Sequence, residues 1–123
     1  MSGIARLTTV VLDCPDPHAL AAFYAELTGW PVTESDDSWV DLADDGAGVR
    51  LAFQRASDFR APSWPDPTRP QQFHLDLDVA ADEVDAAEEK VLALGATKPE
   101  TQPGGNWRVY LDPAGHPFCL CWD

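Results

Sequence analysis

Apolar positions along this 123-residue chain follow two periods in alternation. Leu7–Asp13 (LTTVVLD) is crowded with β-branched side chains and predicts a buried strand. Cys14-Pro15-Asp16-Pro17 ends it and opens a helix. Asp16 suits the N-cap, and Pro17 suits the first helical position, where a missing N–H costs nothing. Leu20, Phe23, Tyr24 and Leu27 then recur at helical spacing across 17–28, and Gly29 stands where a helix-terminating glycine belongs. Strands are predicted over Trp30–Thr33, Trp39–Ala43 and Val49–Gln54, with turns at Ser35–Ser38 and Asp44–Gly48. The order is βαβββ.

Residues 56–71 contain Pro62, Pro65, Pro67 and Pro70 and predict an irregular crossover, with Trp64 as an anchor. Then the pattern restarts. Gln72–Val79 alternates, with Phe73, Leu75, Leu77 and Val79 on one face and His74, Asp76 and Asp78 on the other. Ala81–Leu94 predicts a helix with a stripe of Val84, Ala87, Val91 and Leu94. Asp82, Glu83 and Asp85 suit its positive end, and Gly95 closes it. Thr97–Glu100, Trp107–Asp112 and Pro117–Trp122 complete a second βαβββ. Setting Thr9 on His74 carries Asp13 onto Asp78, while Gly29 falls near Gly95 and Trp39 near Trp107. The expected architecture is an α+β single domain over 1–123. Module one covers 1–55 and module two 72–123. Together they form a curved mixed sheet around a concave cleft, with the helices on its convex side. Strand alternation sends Leu75 and Leu77 to the helix and His74 and Asp76 to the cleft.

Composition narrows the function. Hydrophobic residues make up 45% and charged residues 24%, which suits a folded domain. No apolar run approaches the roughly 20 residues of a membrane helix. Met1–Arg6 lacks a basic-then-apolar leader, and the three cysteines then read as reduced thiols in a cytoplasm. The net charge is −13, from 8 basic and 21 acidic residues. Such a chain is repelled by nucleic acid and by anionic membranes, and is compatible with a cationic ligand. Five tryptophans supply either core or an aromatic-lined pocket. There is no G-x-S-x-G elbow, phosphate loop or H-E-x-x-H.

Three stretches carry a resemblance: VVLDCPDPHALAAFYAELTGW (Val10–Trp30), QQFHLDLDV (Gln71–Val79) followed by VLALGATK (Val91–Lys98), and DPAGHPFCLC (Asp112–Cys121). They resemble the vicinal oxygen chelate superfamily of glyoxalase I, fosfomycin-resistance thiol transferases, extradiol dioxygenases and bleomycin-resistance proteins. Within it the chain is most similar to the glyoxalase-like domain group. Metal enzymes of that superfamily place a His on the first strand and a Glu on the last strand of each half. The resemblance carries those positions to Thr9 and Leu51 in the first half, and to His74 and Cys119 in the second. One ligand of four is retained, so the resemblance implies no metal centre and no cofactor. His74, Cys119 and Cys121 nominally make a soft-ion set. Against it stand small apolar thiols and a neutral His74 hydrogen-bonded to Asp76 or Thr9. A His74–Cys119 thiolate–imidazole pair and an Asp76–Asp78 acid–base pair are further alternatives.

The cleft is expected to be lined by Thr9, Leu51 and Phe53 from the first half. The second half would add His74, Asp76, Cys119 and Cys121. Arg108 joins them if the face it shares with Tyr110 is the cleft face. The function implied is metal-independent binding of an aromatic or cationic small molecule, as in bleomycin-resistance proteins. The alternative is a lyase, isomerase or dioxygenase of the same superfamily, using a metal or cofactor-free acid–base chemistry. Relatives often pair as two-fold dimers, so a homodimer is expected.

Overall fold

Helix α1, Pro17–Thr28, has the ends its local sequence dictates. The Asp16 carboxylate accepts from the backbone N–H of His18 at 3.1 Å and of Ala19 at 3.2 Å, and Pro17 opens the first turn. Gly29 takes φ 76° and donates its N–H to the Ala25 carbonyl at 2.8 Å. That left-handed conformation is costly for any residue with a Cβ. The computed structural model describes residues 3–43, 46 and 48–123. They form two units, Met1–Phe59 and Arg60–Asp123, and the boundary falls inside the expected crossover. Residues 56–71 hold no helix or strand. Three residues of the turn expected at Asp44–Gly48 (Asp44, Asp45 and Ala47) lie outside the described residues.

The first unit is βαβββ. Strands β1 (Thr9–Cys14), β2 (Val32–Ser35), β3 (Trp39–Leu42) and β4 (Arg50–Arg55) form a sheet in the order β1-β4-β3-β2. The β1–β4 pair is parallel and the others antiparallel. Register puts Leu12 and Val40 on either side of Phe53, so all three share a face. That face meets α1: the Phe53 ring stacks on Tyr24 at 5.5 Å, and Phe23 meets Tyr24 edge-on at 5.0 Å. Each such fully buried side chain contributes roughly 1.5–3 kcal/mol. Arg55 ties two loops together by donating to the Pro15 carbonyl at 2.8 Å and to the Asp37 carbonyl at 3.0 and 3.2 Å.

The strands of the second unit depart from their predicted pattern in two places. It has β5 (Leu75–Asp78), a 3-10 turn (Ala81–Glu83), α2 (Val84–Ala93), β6 (Trp107–Leu111) and β7 (Pro117–Cys121). The sheet order is β5-β7-β6, with β5–β7 parallel and β6–β7 antiparallel. First, β5 begins only at Leu75, so Phe73 is not on a buried strand face and is fully exposed. Second, the strand expected at Thr97–Glu100 shrinks to one bridge, Thr97 to Leu111. Pro99 has no N–H to extend the pairing. The side chain of Gln102 takes its place: Nε2 donates to the Val109 carbonyl and Oε1 accepts from the Val109 N–H, both at 2.9 Å. One amide thus satisfies both backbone groups of an edge residue.

Helix α2 buries only Val84 and Val91, and Leu94, predicted on its apolar stripe, is exposed. Its attachment to β6 is largely polar. Glu88 Oε1 accepts from the Tyr110 hydroxyl at 2.7 Å, from Lys98 at 2.8 Å and from Arg108 at 3.3 Å. The DPAGHP turn is held by the buried Asp112, whose carboxylate accepts from the N–H of Ala114 at 2.8 Å and of His116 at 3.0 Å.

Candidate functional site

Strand alternation in the second unit sorts side chains between two faces. Leu75 and Leu77 flank Phe118 and Leu120 in the ladder, and Tyr110 stacks on Phe118 at 5.6 Å. Tyr110 bonds to Glu88, so this is the face toward α2. The opposite face carries the chemistry. There Asp76 pairs with Cys119 and Asp78 with Cys121 across β5–β7, while Val109 and Trp107 pair with the same two cysteines across β6–β7. A pocket of about 580 Å³ opens on this face. Its rim is tied by Asn106, which donates from Nδ2 to the Trp122 carbonyl at 2.7 Å and accepts the Trp122 N–H on its own carbonyl at 3.0 Å. Gly105, at φ 82°, lets the turn lie under the Trp107 ring, where a Cβ would come within 2.9 Å of it.

Three kinds of donor atom converge in this pocket. His74 Nε2 lies 3.2 Å from Asp76 Oδ1, as one sequence alternative proposed. The nearest ligand atoms of His74, Asp76 and Cys119 all lie within 4.8 Å of one another. Cys119 is buried mid-strand, whereas His74 and Asp76 are exposed. Burial first, then the Asp76 carboxylate and the neighbouring Cys121, push the Cys119 thiol up to about 12. Burial and the carboxylates of Asp76 and Asp78 raise Cys121 as well. Both shifts favour the protonated thiols.

Not every expected lining residue belongs here. His74, Asp76, Cys119 and Cys121 do share the pocket. Arg108 does not: it lies on the α2 face and is held by Asp85 at 3.0 Å and Glu88 at 3.3 Å. It also sits 5.6 Å from the centroid of the Trp122 ring. Phe53 is fully buried against Tyr24, and Leu51, two residues away on the same face, is buried with it. Both belong to the core beneath α1, not to an open lining. Thr9 lies on the other face of that sheet, in phase with Val11 and opposite Arg50. Sequence reasoning missed Asp78, Val79, Asn106, Trp107, Trp122 and Asp123 as lining residues. The period-2 phase shared by His74, Asp76 and Asp78 was the available signal for the first of them.

The family model of the glyoxalase-like domain matches residues 9–121. The chain belongs to the glyoxalase-like domain family. No curated protein sequence matches it. Among solved structures it is similar to a glyoxalase/bleomycin resistance protein/dioxygenase family enzyme from Burkholderia phytofirmans PsJN. There the TM-score is 0.76 at 20% identity, covering 96% of this chain and 98% of that one. A glyoxalase-related enzyme from Fulvimarina pelagi gives 0.71 at 23% identity, covering 98% and 89%. A genomically encoded fosfomycin resistance protein from Listeria monocytogenes gives 0.72 at 19% identity, covering 98% and 93%. These likenesses are of fold.

This glyoxalase-like domain does not fit the four-ligand metal centre of its superfamily. In the second unit the ladder sets Cys119 beside Asp76, two residues after His74. In the first unit the same construction sets Ala52 beside Val11, two residues after Thr9. The counterpart of Cys119 is therefore Ala52, one residue from the Leu51 that the sequence offset suggested. A one-residue slip moves a side chain to the other face of a sheet. Ala52 has no donor atom, and Thr9 has only a neutral hydroxyl.

Proposed function

We propose that this glyoxalase-like domain is a small-molecule binding protein whose second-unit pocket takes a cationic aromatic ligand. The observation that carries the reading is the charge of the lining. Asp76, Asp78 and Asp123 face the pocket, and among the described residues no lysine or arginine lines it. Trp107, partly exposed, offers an aromatic wall on the same face. A cation over such a ring gains from its quadrupole, and the carboxylates add a favourable field that the chain's overall charge of −13 reinforces. The pocket volume is in the range of small-ligand sites. A two-fold homodimer belongs to the same reading, and light scattering tests it.

A second reading, an enzyme using acid–base chemistry, is favoured by one feature, the His74–Asp76 contact opening on the pocket. Titration of chelator-treated protein with matched cationic and anionic aromatic compounds, read by tryptophan fluorescence at two salt concentrations, tests the binding reading. Cations are expected to bind more tightly, less so at high salt, and more weakly to Asp78→Asn and Trp107→Ala. Tighter binding of the anions overturns it.

A further inference from the structure

We propose that Trp39, Asp41 and Arg50 form a second small-molecule site, on the face of the first sheet turned away from α1, for a planar aromatic carboxamide or lactam. The site lies wholly within the first unit and does not depend on the cation pocket of the second.

The ladder brings the three side chains together. Trp39 and Asp41 share one face of β3, and their partners on β4 are Gln54 and Ala52. Arg50 precedes Ala52 by two residues, so it stands on that same face, opposite to the Val40 and Phe53 that pack under α1. Ala52 is the small residue in the middle, and its methyl group leaves the space above it to longer neighbours. Two of them reach one carboxylate. Trp39 donates from Nε1 to Asp41 Oδ1 at 2.5 Å, and Arg50 Nη1 stands 3.9 Å from Asp41 Oδ2. The Asp41 side chain is buried at 8% exposure, whereas that of Arg50 is 46% exposed.

The longer of these distances makes the cluster a site. A donor and an acceptor more than about 3.5 Å apart share no hydrogen bond. Charge alone therefore holds Arg50 to Asp41, and a strong donor and a strong acceptor are left side by side. Among the described residues neither Asp41 Oδ2 nor the Arg50 guanidinium has a hydrogen-bond partner. One group satisfies both at once: an amide whose N–H and carbonyl point the same way, as in a primary carboxamide or a lactam. Its N–H donates to Asp41 Oδ2 while its carbonyl accepts from Arg50. A carboxylate offers acceptors only and would meet Asp41 with like charge; an amidinium offers donors only and would meet Arg50 in the same way. A neutral amide escapes both conflicts, and the field of a chain at −13 does not act on its net charge. Trp39, pinned through its N–H to Asp41, supplies an aromatic surface beside the pair at little further cost in side-chain freedom.

The test uses the full ¹⁵N-labelled chain and follows the Trp39 indole N–H resonance, identified by its loss in Trp39→Phe. Four compounds with one ring are titrated: benzamide, N,N-dimethylbenzamide, benzoate and benzamidine. Benzamide is expected to shift the Trp39 resonance. The other three lack either the donor or the acceptor and should act there at least about 10-fold more weakly, the value of one hydrogen bond to a charged partner. Arg50→Met, which keeps the stem and removes the donor, should weaken benzamide at least about 10-fold, while Asp78→Asn in the other unit should leave it unchanged. The four-compound series on the wild-type chain decides the matter even if Arg50→Met does not fold. A Trp39 resonance indifferent to benzamide, an equal response to N,N-dimethylbenzamide or benzoate, or full benzamide affinity in folded Arg50→Met overturns the proposal.

Discussion

Glu88 is a point where a single change in the second unit removes three contacts at once. Its Oε1 receives the Tyr110 hydroxyl, the Lys98 ammonium and the Arg108 guanidinium at 2.7, 2.8 and 3.3 Å. Tyr110 as a residue has no solvent exposure, so removal of Glu88 leaves the buried hydroxyl proton without its acceptor, with only Arg108 beside the oxygen. That costs about 1–3 kcal/mol, and each partly exposed ion pair adds about 0.2–1 kcal/mol. Glu88→Ala is therefore expected to destabilise by about 2–4 kcal/mol. Glu88→Gln keeps an oxygen acceptor for Tyr110 and loses only the charge, so about 1 kcal/mol is expected.

The comparison has a pH signature. The Lys98 hydrogen bond, then those of Tyr110 and the nearby charges, hold Glu88 below the ordinary value of 4.5 against the opposing effect of burial. A carboxyl lowered by folding stabilises fully above its unfolded value and loses that contribution as pH falls through the folded one. The gap between wild type and Glu88→Gln should thus be present at pH 7 and close below pH 4.5. Urea unfolding of the three proteins at neutral and acid pH measures it, with the slope checked for constancy. Equal destabilisation by Ala and Gln, or a gap that persists at acid pH, refutes the reasoning.

Two further outcomes follow from the same geometry. Gln102→Ala should destabilise by about 2 kcal/mol, because the N–H and carbonyl of Val109 both lose their partner, and hydrogen exchange at Val109 should accelerate; unchanged exchange there would refute the strand-mimic role. The Cys119 thiol, at about 12 against an ordinary 9.0, has a neutral-pH thiolate fraction about 1,000-fold below that of a free cysteine. Alkylation followed by mass spectrometry should be slow at Cys119, rise with pH and speed up in Asp76→Asn; rapid labelling at neutral pH would count against the crowding of carboxylate and thiol.

The sequence by itself determined whatever depends on neighbours a few residues apart. The ends of α1 lie in Asp16, Pro17 and Gly29, whose cap bonds span at most four residues. The common face of His74 and Asp76, and that of Cys119 and Cys121, follows from the two-residue period of a strand. The fold class followed from two runs of such local patterns in the same order. Tertiary structure decided what depends on register and on partners distant in sequence. The counterpart of Cys119 is Ala52 and not Leu51 because the β1–β4 ladder is set by packing under α1, and an offset counted along the chain misses by one residue. Arg108 leaves the pocket because Asp85 and Glu88, some twenty residues earlier, lie on the helix above it. Trp107 and Val109 face the cysteines because α2 covers the other side of β6, and alternation alone cannot say which side a helix will cover. Pairing across strands is long-range, and a one-residue change in it inverts every side chain. Local pattern therefore fixes the elements, while the composition of the pocket waits on the sheet.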